Sequence, residues 1–203
     1  MRRQPVLAVL RPAGIDQARA QLLPLQQLGL LHVELAVSLD PRWPAMARQL
    51  AQEFPQLQLG GASVRCAAGL EAVAAAGLGY AVSPILERAL LEQAQTFAVP
   101  LVPGVFSPTE VALAVRWGAR AVKLYPAAAL APGYWASLRG PLGPLPFCIA
   151  AGGLAPEDGA VWLQAGVDAI ALGGQLFEAT EAGPQLRPGL APLLAWLRSR
   201  GND

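Results

Sequence analysis

The chain has 203 residues, 54% of them hydrophobic, enough to bury one large core in a single domain. Only 14% are charged and the formal net charge is +1, which provides neither a basic stripe for nucleic acid nor a cationic face for an anionic membrane. Two cysteines, Cys66 and Cys148, without CxxC spacing, argue against a disulfide framework or a thiolate metal site and suit reduced cytoplasmic thiols, while high apolar content with low charge points to surface hidden in an oligomer.

The first segment, Met1-Arg2-Arg3-Gln4-Pro5, is basic, but the apolar run after it is broken at Arg11. Neither a secretory leader nor a membrane span is expected. Val6 to Leu10 reads as a continuous apolar strand ending at Arg11, and Asp16 to Gln27 carries helical spacing closed by Gly29. His32 to Val37 is a second strand, and Asp40-Pro41 opens a helix, with proline at its first position, running to about Glu53. Gln56 to Ser63 is a third strand with a glycine-rich end, followed by an alanine-rich helix to Ala76. Gly79 to Ser83 is a short fourth strand, with Pro84 at its end and a helix behind it. Val99 to Val105 is the fifth, and Ser107-Pro108-Thr109-Glu110 after it has the form of a capping box with proline at N1.

Ala121 to Ala127 is the sixth strand and carries Lys123, the only lysine among 15 basic residues. Leu145 to Ala151 is the seventh, ending in Gly152-Gly153, with Pro156-Glu157-Asp158 opening the next helix. Val167 to Leu172 is the eighth, ending in Gly173-Gly174. Leu190 to Leu197 supplies a last helix before a polar tail, Arg198 to Asp203. Eight alternations of strand and helix without a linker predict one α/β domain over residues 1–203, a closed (β/α)8 TIM barrel with its site at the C-terminal ends of the strands.

Strand alternation puts Ala121, Lys123 and Tyr125 on one face and Val122 and Leu124 on the other. A solvated edge lysine is one reading. The uniqueness of Lys123 and its apolar flanks favour a desolvated amine, whose lowered pKa yields the neutral nucleophile of Schiff-base chemistry. Arginine cannot be deprotonated and cannot substitute. Glu34 stands alone among apolar neighbours, sharing a face with His32 and Ala36. Buried there it would have a raised pKa and act as a general acid-base, or it would be paired structurally with Arg11. The glycine pairs let backbone amides approach an anion, or they are ordinary turn residues. His32 has no histidine or cysteine companion and reads as a packed or surface residue. The five tryptophans read as packing or interface residues.

With these motifs in order, the sequence resembles the 2-keto-3-deoxy-6-phosphogluconate aldolase family, which includes the 4-hydroxy-2-oxoglutarate and phosphogalactonate aldolases. The carriers are Val9-Leu10-Arg11, Val33-Glu34-Leu35, Gly60-Gly61-Ala62-Ser63, Ser83-Pro84, Val102-Pro103-Gly104-Val105, Val122 to Ala127 and the two glycine pairs, spread from about Val6 to Phe177. The resemblance implies a cytoplasmic, homotrimeric barrel lyase that uses no metal or other cofactor and acts on a small 2-oxo acid. It makes Lys123 the Schiff-base residue and Glu34 the acid-base. Arg11, Ser63 and Pro84 fall to the substrate, and Gly152, Gly153, Gly173 and Gly174 to a phosphate cradle.

Four positions depart from the family's pattern. Ser38 stands where a carboxylate-binding arginine is common, which weakens pyruvate binding unless Arg11 or Arg65 supplies the cation. Ile85 replaces the glycine of Ser-Pro-Gly and would crowd the pocket. Ala151 and Gln175 replace a threonine and a serine beside the glycine pairs, which counts against a 6-phosphate. The expected reaction is cleavage of a 2-keto-3-deoxy sugar acid or 4-hydroxy-2-oxo acid to pyruvate and an aldehyde. Three alternatives are oxaloacetate decarboxylation on the same lysine, a non-catalytic sugar-phosphate-binding barrel, and a phosphate-handling isomerase.

Overall fold

A computed structural model describes residues 4–181 and 183–200. The basic start, 1–3, and the end of the polar tail, 201–203, lie outside the described residues. In chain order the elements are β1 (Val6–Leu10), α1 (Ile15–Gln27), β2 (His32–Ala36), α2 (Trp43–Glu53), β3 (Gln58–Ala62), α3 (Ala67–Ala76), β4 (Ala81–Val82) and α4 (Arg88–Thr96). They continue with β5 (Leu101–Val102), β6 (Gly104–Val105), α5 (Pro108–Arg116), β7 (Ala121–Leu124), α6 (Tyr134–Ser137), α7 (Arg139–Leu142), β8 (Phe147–Ala151) and α8 (Gly159–Gln164). The last are β9 (Ala169–Leu172), β10 (Phe177–Thr180), β11 (Gly183–Leu186) and α9 (Leu190–Arg200).

Nine parallel strands run in the order β5-β4-β3-β2-β1-β9-β8-β7-β6. The two at the ends of that order are halves of one stretch of chain, parted at Pro103, which has no N–H to donate to a ladder. One half pairs with β4 and the other with β7, so the sheet closes on itself as a (β/α)8 barrel whose fifth strand is split.

Both faces of the strands are covered, which is why β1 is buried at every residue. Val6, Ala8, Leu10, Val33, Leu35, Val122 and Leu124 pack outward under the helices, while Leu7, Val9, Ala62, Ile149, Ala151, Ala169 and Ala171 form a separate cluster inside the barrel. Because neighbours along a strand alternate, Glu34 and Lys123 must point into that interior.

Local chemistry explains most element ends. Ser107 Oγ accepts from the Glu110 amide and Glu110 Oε2 accepts from the Ser107 amide at 2.8 Å, which is the predicted capping box with Pro108 as first helical residue. Gly77, at φ +70°, ends α3 in a left-handed turn that a side chain would strain.

Several expectations change. Helix α2 begins at Trp43, not Pro41; the Trp43 amide donates to the Asp40 carbonyl in a turn that precedes it, and Pro44 lies in its first turn. Short helices α6 and α7 follow the lysine strand, where Pro132, Gly133, Gly140 and Pro141 hide any helical period. An antiparallel hairpin, β10–β11, packs against α1 between β9 and α9. The final helix runs through Arg200, so Arg198 to Arg200 belong to it rather than to a polar tail.

Candidate active site

Lys123 sits on β7 at the level of Gly104 and Ile149, and Glu34 sits on β2 at the level of Val9 and Gly60. Lys123 is 6% exposed and Glu34 only 1%. Burial pushes the Glu34 carboxyl up to about 7, against the opposing pull of the Lys123 and Arg11 charges. Burial also lowers Lys123; Arg11 adds to that shift, and Glu34 works against it. Both members of the pair are therefore shifted toward their uncharged forms. The four ion pairs among the described residues lie elsewhere, on exposed arginines, and none involves Lys123 or Glu34.

A cavity of about 300 Å³ opens above Lys123, lined by Arg11, Tyr125 and both glycine pairs. Its floor is the small-residue interior of the barrel: Val9, Ala151 and Ala171 leave room that larger side chains would fill. Arg11 extends from the end of β1; its guanidinium would be 3.9 Å from a Cβ at Gly173, and its Nη2 makes a long, 3.5 Å contact with Ser63 Oγ. Ser63 itself is at φ +60°, a conformation that non-glycine residues adopt at some cost.

The two glycine pairs differ. Gly152 and Gly153 have φ of +94° and +79°, and added Cβ atoms would come within 2.7 Å of the Tyr125 ring and 2.6 Å of Ala128 Cβ. Here the fold itself demands glycine. Gly174 has nothing within 4 Å of such an atom and Gly173 nothing closer than 3.8 Å, so the second pair leaves its backbone bare toward open space.

Of the residues singled out in sequence, Arg11, Lys123 and the four glycines surround this one cavity, and Glu34 lies buried within the same barrel. Ser63 joins them through Arg11. Pro84 stands apart from the lining: its backbone closes on Gly104, where a Cβ would be 2.4 Å from its carbonyl. Ile85 is exposed and outside the lining, so the expected crowding does not occur. Ser38 lines a neighbouring hollow with Asp40 and Arg42 and is likewise absent from the cavity. Of the two cations considered for Ser38's place, Arg11 lines the cavity and Arg65 does not.

Sequence alone assigns no site role to Tyr80 or Tyr125. Tyr125 has Lys123 Nζ over its ring, a contact that its shared face with Lys123 could have suggested. Tyr80 lies just before β4, where no periodicity marks it. His32 is buried, with its pKa lowered to about 4 chiefly by that burial, so it is packed and neutral. Among the described residues no cluster of three or more histidine, cysteine or acidic side chains could hold a metal ion, and no helix is long and apolar enough to cross a membrane.

Comparison with known proteins places this geometry among relatives. The family model described as "KDPG and KHG aldolase" matches residues 1–185. A 2-dehydro-3-deoxy-6-phosphogalactonate aldolase of Escherichia coli is 28% identical over 179 residues, 88% of this chain and 87% of that one. A 2-dehydro-3-deoxy-phosphogluconate aldolase of Dickeya dadantii is 32% identical over 150 residues, 73% of this chain and 70% of its own. Among solved structures, one of native KDPGal superposes with a TM-score of 0.80 at 26% identity, over 98% of this chain and 94% of that one.

Proposed function

We propose, from the premise that this chain belongs to the KDPG and KHG aldolase family and is an aldolase, that it works as a class I lyase through a Schiff base on Lys123. In the proposed reaction the neutral Lys123 amine adds to the C2 carbonyl of a 2-oxo acid and expels water to form an iminium. Glu34, through water, takes the proton from the C4 hydroxyl as the C3–C4 bond breaks. The bonding electrons pass into the iminium, leaving a pyruvate enamine and an aldehyde. Protonation at C3 and hydrolysis release pyruvate and restore the amine.

The observation that carries this reading is a lone lysine, 6% exposed, beside a 1% exposed carboxylate, with burial driving both toward neutrality. An amine that is not protonated can attack, and a carboxyl near 7 can both give and take a proton at working pH. Arg11 supports binding of the 2-oxo acid's carboxylate, with Ser63 beside it. The bare backbone at Gly173 and Gly174 supports an anionic or hydroxylated tail at the other end.

Substrates on this proposal are 2-keto-3-deoxy sugar acids, phosphorylated or not, and 4-hydroxy-2-oxo acids. Ala151 and Gln175, which line the cavity where hydroxyl donors would grip a phosphate, favour a second reading in which oxaloacetate loses carbon dioxide on the same iminium. The proposal also includes a homotrimer in the cytoplasm that needs no metal or organic cofactor. Free thiols at Cys66 and Cys148 and exposed apolar side chains such as Leu39 and Val161 support those parts.

The test is borohydride reduction in the presence of pyruvate, followed by peptide mass spectrometry. A reduced pyruvyl adduct on Lys123 is expected. Its absence at saturating pyruvate would leave a sugar-phosphate-binding barrel as the better account.

A further inference from the structure

Three buried side-chain polar atoms among the described residues have no hydrogen-bond partner: Gln21 Oε1, Glu34 Oε2 and the Tyr80 hydroxyl. Buried polar groups are nearly always paired, directly or through water, so each orphan needs a reason. Gln21 lies on α1, outside the barrel wall. The other two belong together.

Tyr80 immediately precedes β4, and its carbonyl accepts from the Gly61 amide at 2.9 Å. Its ring is laid across Gly60: a Cβ there would be 2.4 to 2.7 Å from the three ring carbons nearest the hydroxyl. Any other residue at position 60 would drive the ring out. Gly60 is the register partner of Glu34 on the adjacent strand, and adjacent strands lie about 4.8 Å apart. The phenol end of Tyr80 thus enters the barrel at the level of the Glu34 side chain. One orphan is a donor, the other an acceptor.

We propose that Tyr80 is a positioning residue for Glu34, its hydroxyl donating to Oε2 through one water, so that the other carboxylate oxygen is left to carry protons at the cavity. This rests on the lyase reading for its catalytic meaning, but the contact itself does not. The groups facing Glu34 are Lys123 from β7, Arg11 from the end of β1, Tyr80 from the approach to β4 and His32 on its own strand. Arg11 is a fixed charge, Lys123 acts on Glu34 as a charge only in its protonated form, and His32 is neutral. Burial and the Glu34 charge hold the phenol far above its ordinary pKa, so it stays a donor throughout the working range.

The experiment is Tyr80→Phe, which keeps the ring over Gly60 and removes only the hydroxyl. Glu34 is followed by carbon NMR with side-chain-labelled glutamate, its resonance assigned by loss in Glu34→Gln. A hydrogen bond to the ionised carboxylate lowers its pKa, so the variant should titrate about one pH unit higher, with the acid limb of kcat/KM moving in step. A merely structural hydroxyl would lower Tm and leave the midpoint where it was; an unmoved midpoint overturns the proposal. Borohydride trapping of pyruvate on wild-type Lys123 is run alongside. Failure there with a shifted midpoint sinks the lyase reading and leaves the contact standing, and trapping with an unshifted midpoint does the reverse.

Discussion

Lys123 Nζ lies 4.6 Å from the centroid of the Tyr125 ring, and the same ring presses on Gly152, where a Cβ would come within 2.7 Å of it. A cation over an aromatic face is stabilised as a cation, so Tyr125 opposes the burial that lowers the lysine. Replacing the ring with Tyr125→Leu should lower Lys123 further, by about half a pH unit if the contact contributes on the order of 0.7 kcal/mol. The pH midpoint of pyruvate trapping by borohydride then moves down in the leucine variant and stays in place in Tyr125→Phe. Coincident profiles for all three proteins would remove Tyr125 from the account.

The regular part of this molecule is legible because its strands are buried on both faces and its helices repeat behind them. Lys123 and Glu34 stand out for the same reason, each a charge at an inward position flanked by apolar outward ones. What is hard to read follows from broken or exposed patterns. Pro103 divides a strand without changing its composition, and neither strand of the β10–β11 hairpin has a buried residue, so no apolar alternation announces it. Tyr80 is invisible because its meaning lies in a cross-strand neighbour, Gly60, and not in its own sequence context. The glycine pairs look alike in sequence, yet only Gly152 and Gly153 are required by backbone and packing.

Lys123→Arg keeps a cation of similar length but cannot supply a neutral amine. Turnover should fall by at least about 10⁴-fold, with no adduct after borohydride. Lys123→Met separates chemistry from fold: it fills similar volume without a buried charge, and should match or exceed wild type in Tm while showing the same loss of activity. Residual turnover in the methionine variant above the background of mock-purified protein would overturn the Schiff-base assignment.

Glu34 gives a stability prediction whose sign can be worked out. Its folded-state pKa is raised from 4.5 to about 7, so the native protein holds a proton that the unfolded chain releases between those values. The stabilisation from burying the neutral acid is complete below about 4.5 and is lost as pH rises through about 7. Glu34→Gln has no such loss. The variant's Tm relative to wild type should therefore become more favourable from pH 5 to pH 8, by roughly 2–3 kcal/mol or about 5–10 °C, while turnover falls at every pH. A difference in Tm that is flat across that range would mean Glu34 titrates as an ordinary exposed carboxylate.

The choice between phosphorylated and unphosphorylated substrates turns on positions 151 and 175, and these two sites are not equivalent. Ala151 is buried at the cavity floor, packed with Ala171 and Ile149, so Ala151→Thr puts a methyl and a hydroxyl into the space above it and takes room from the substrate whatever donor it adds. Gln175 is at the cavity rim, beside the open backbone of Gly174, and accepts from Arg187 Nη1 at 3.2 Å. Gln175→Ser trades a side-chain amide for a short hydroxyl donor and releases the Arg187 guanidinium toward the same rim, at little cost to the fold. If an anionic tail binds there, the ratio of kcat/KM for a 6-phosphorylated substrate to that for its unphosphorylated analogue should rise roughly tenfold, the scale of one hydrogen bond to a charged group. An unchanged ratio would place the tail away from the second glycine pair, and a high ratio already present in wild type would mean that backbone amides and Arg187 bind phosphate without the missing hydroxyls.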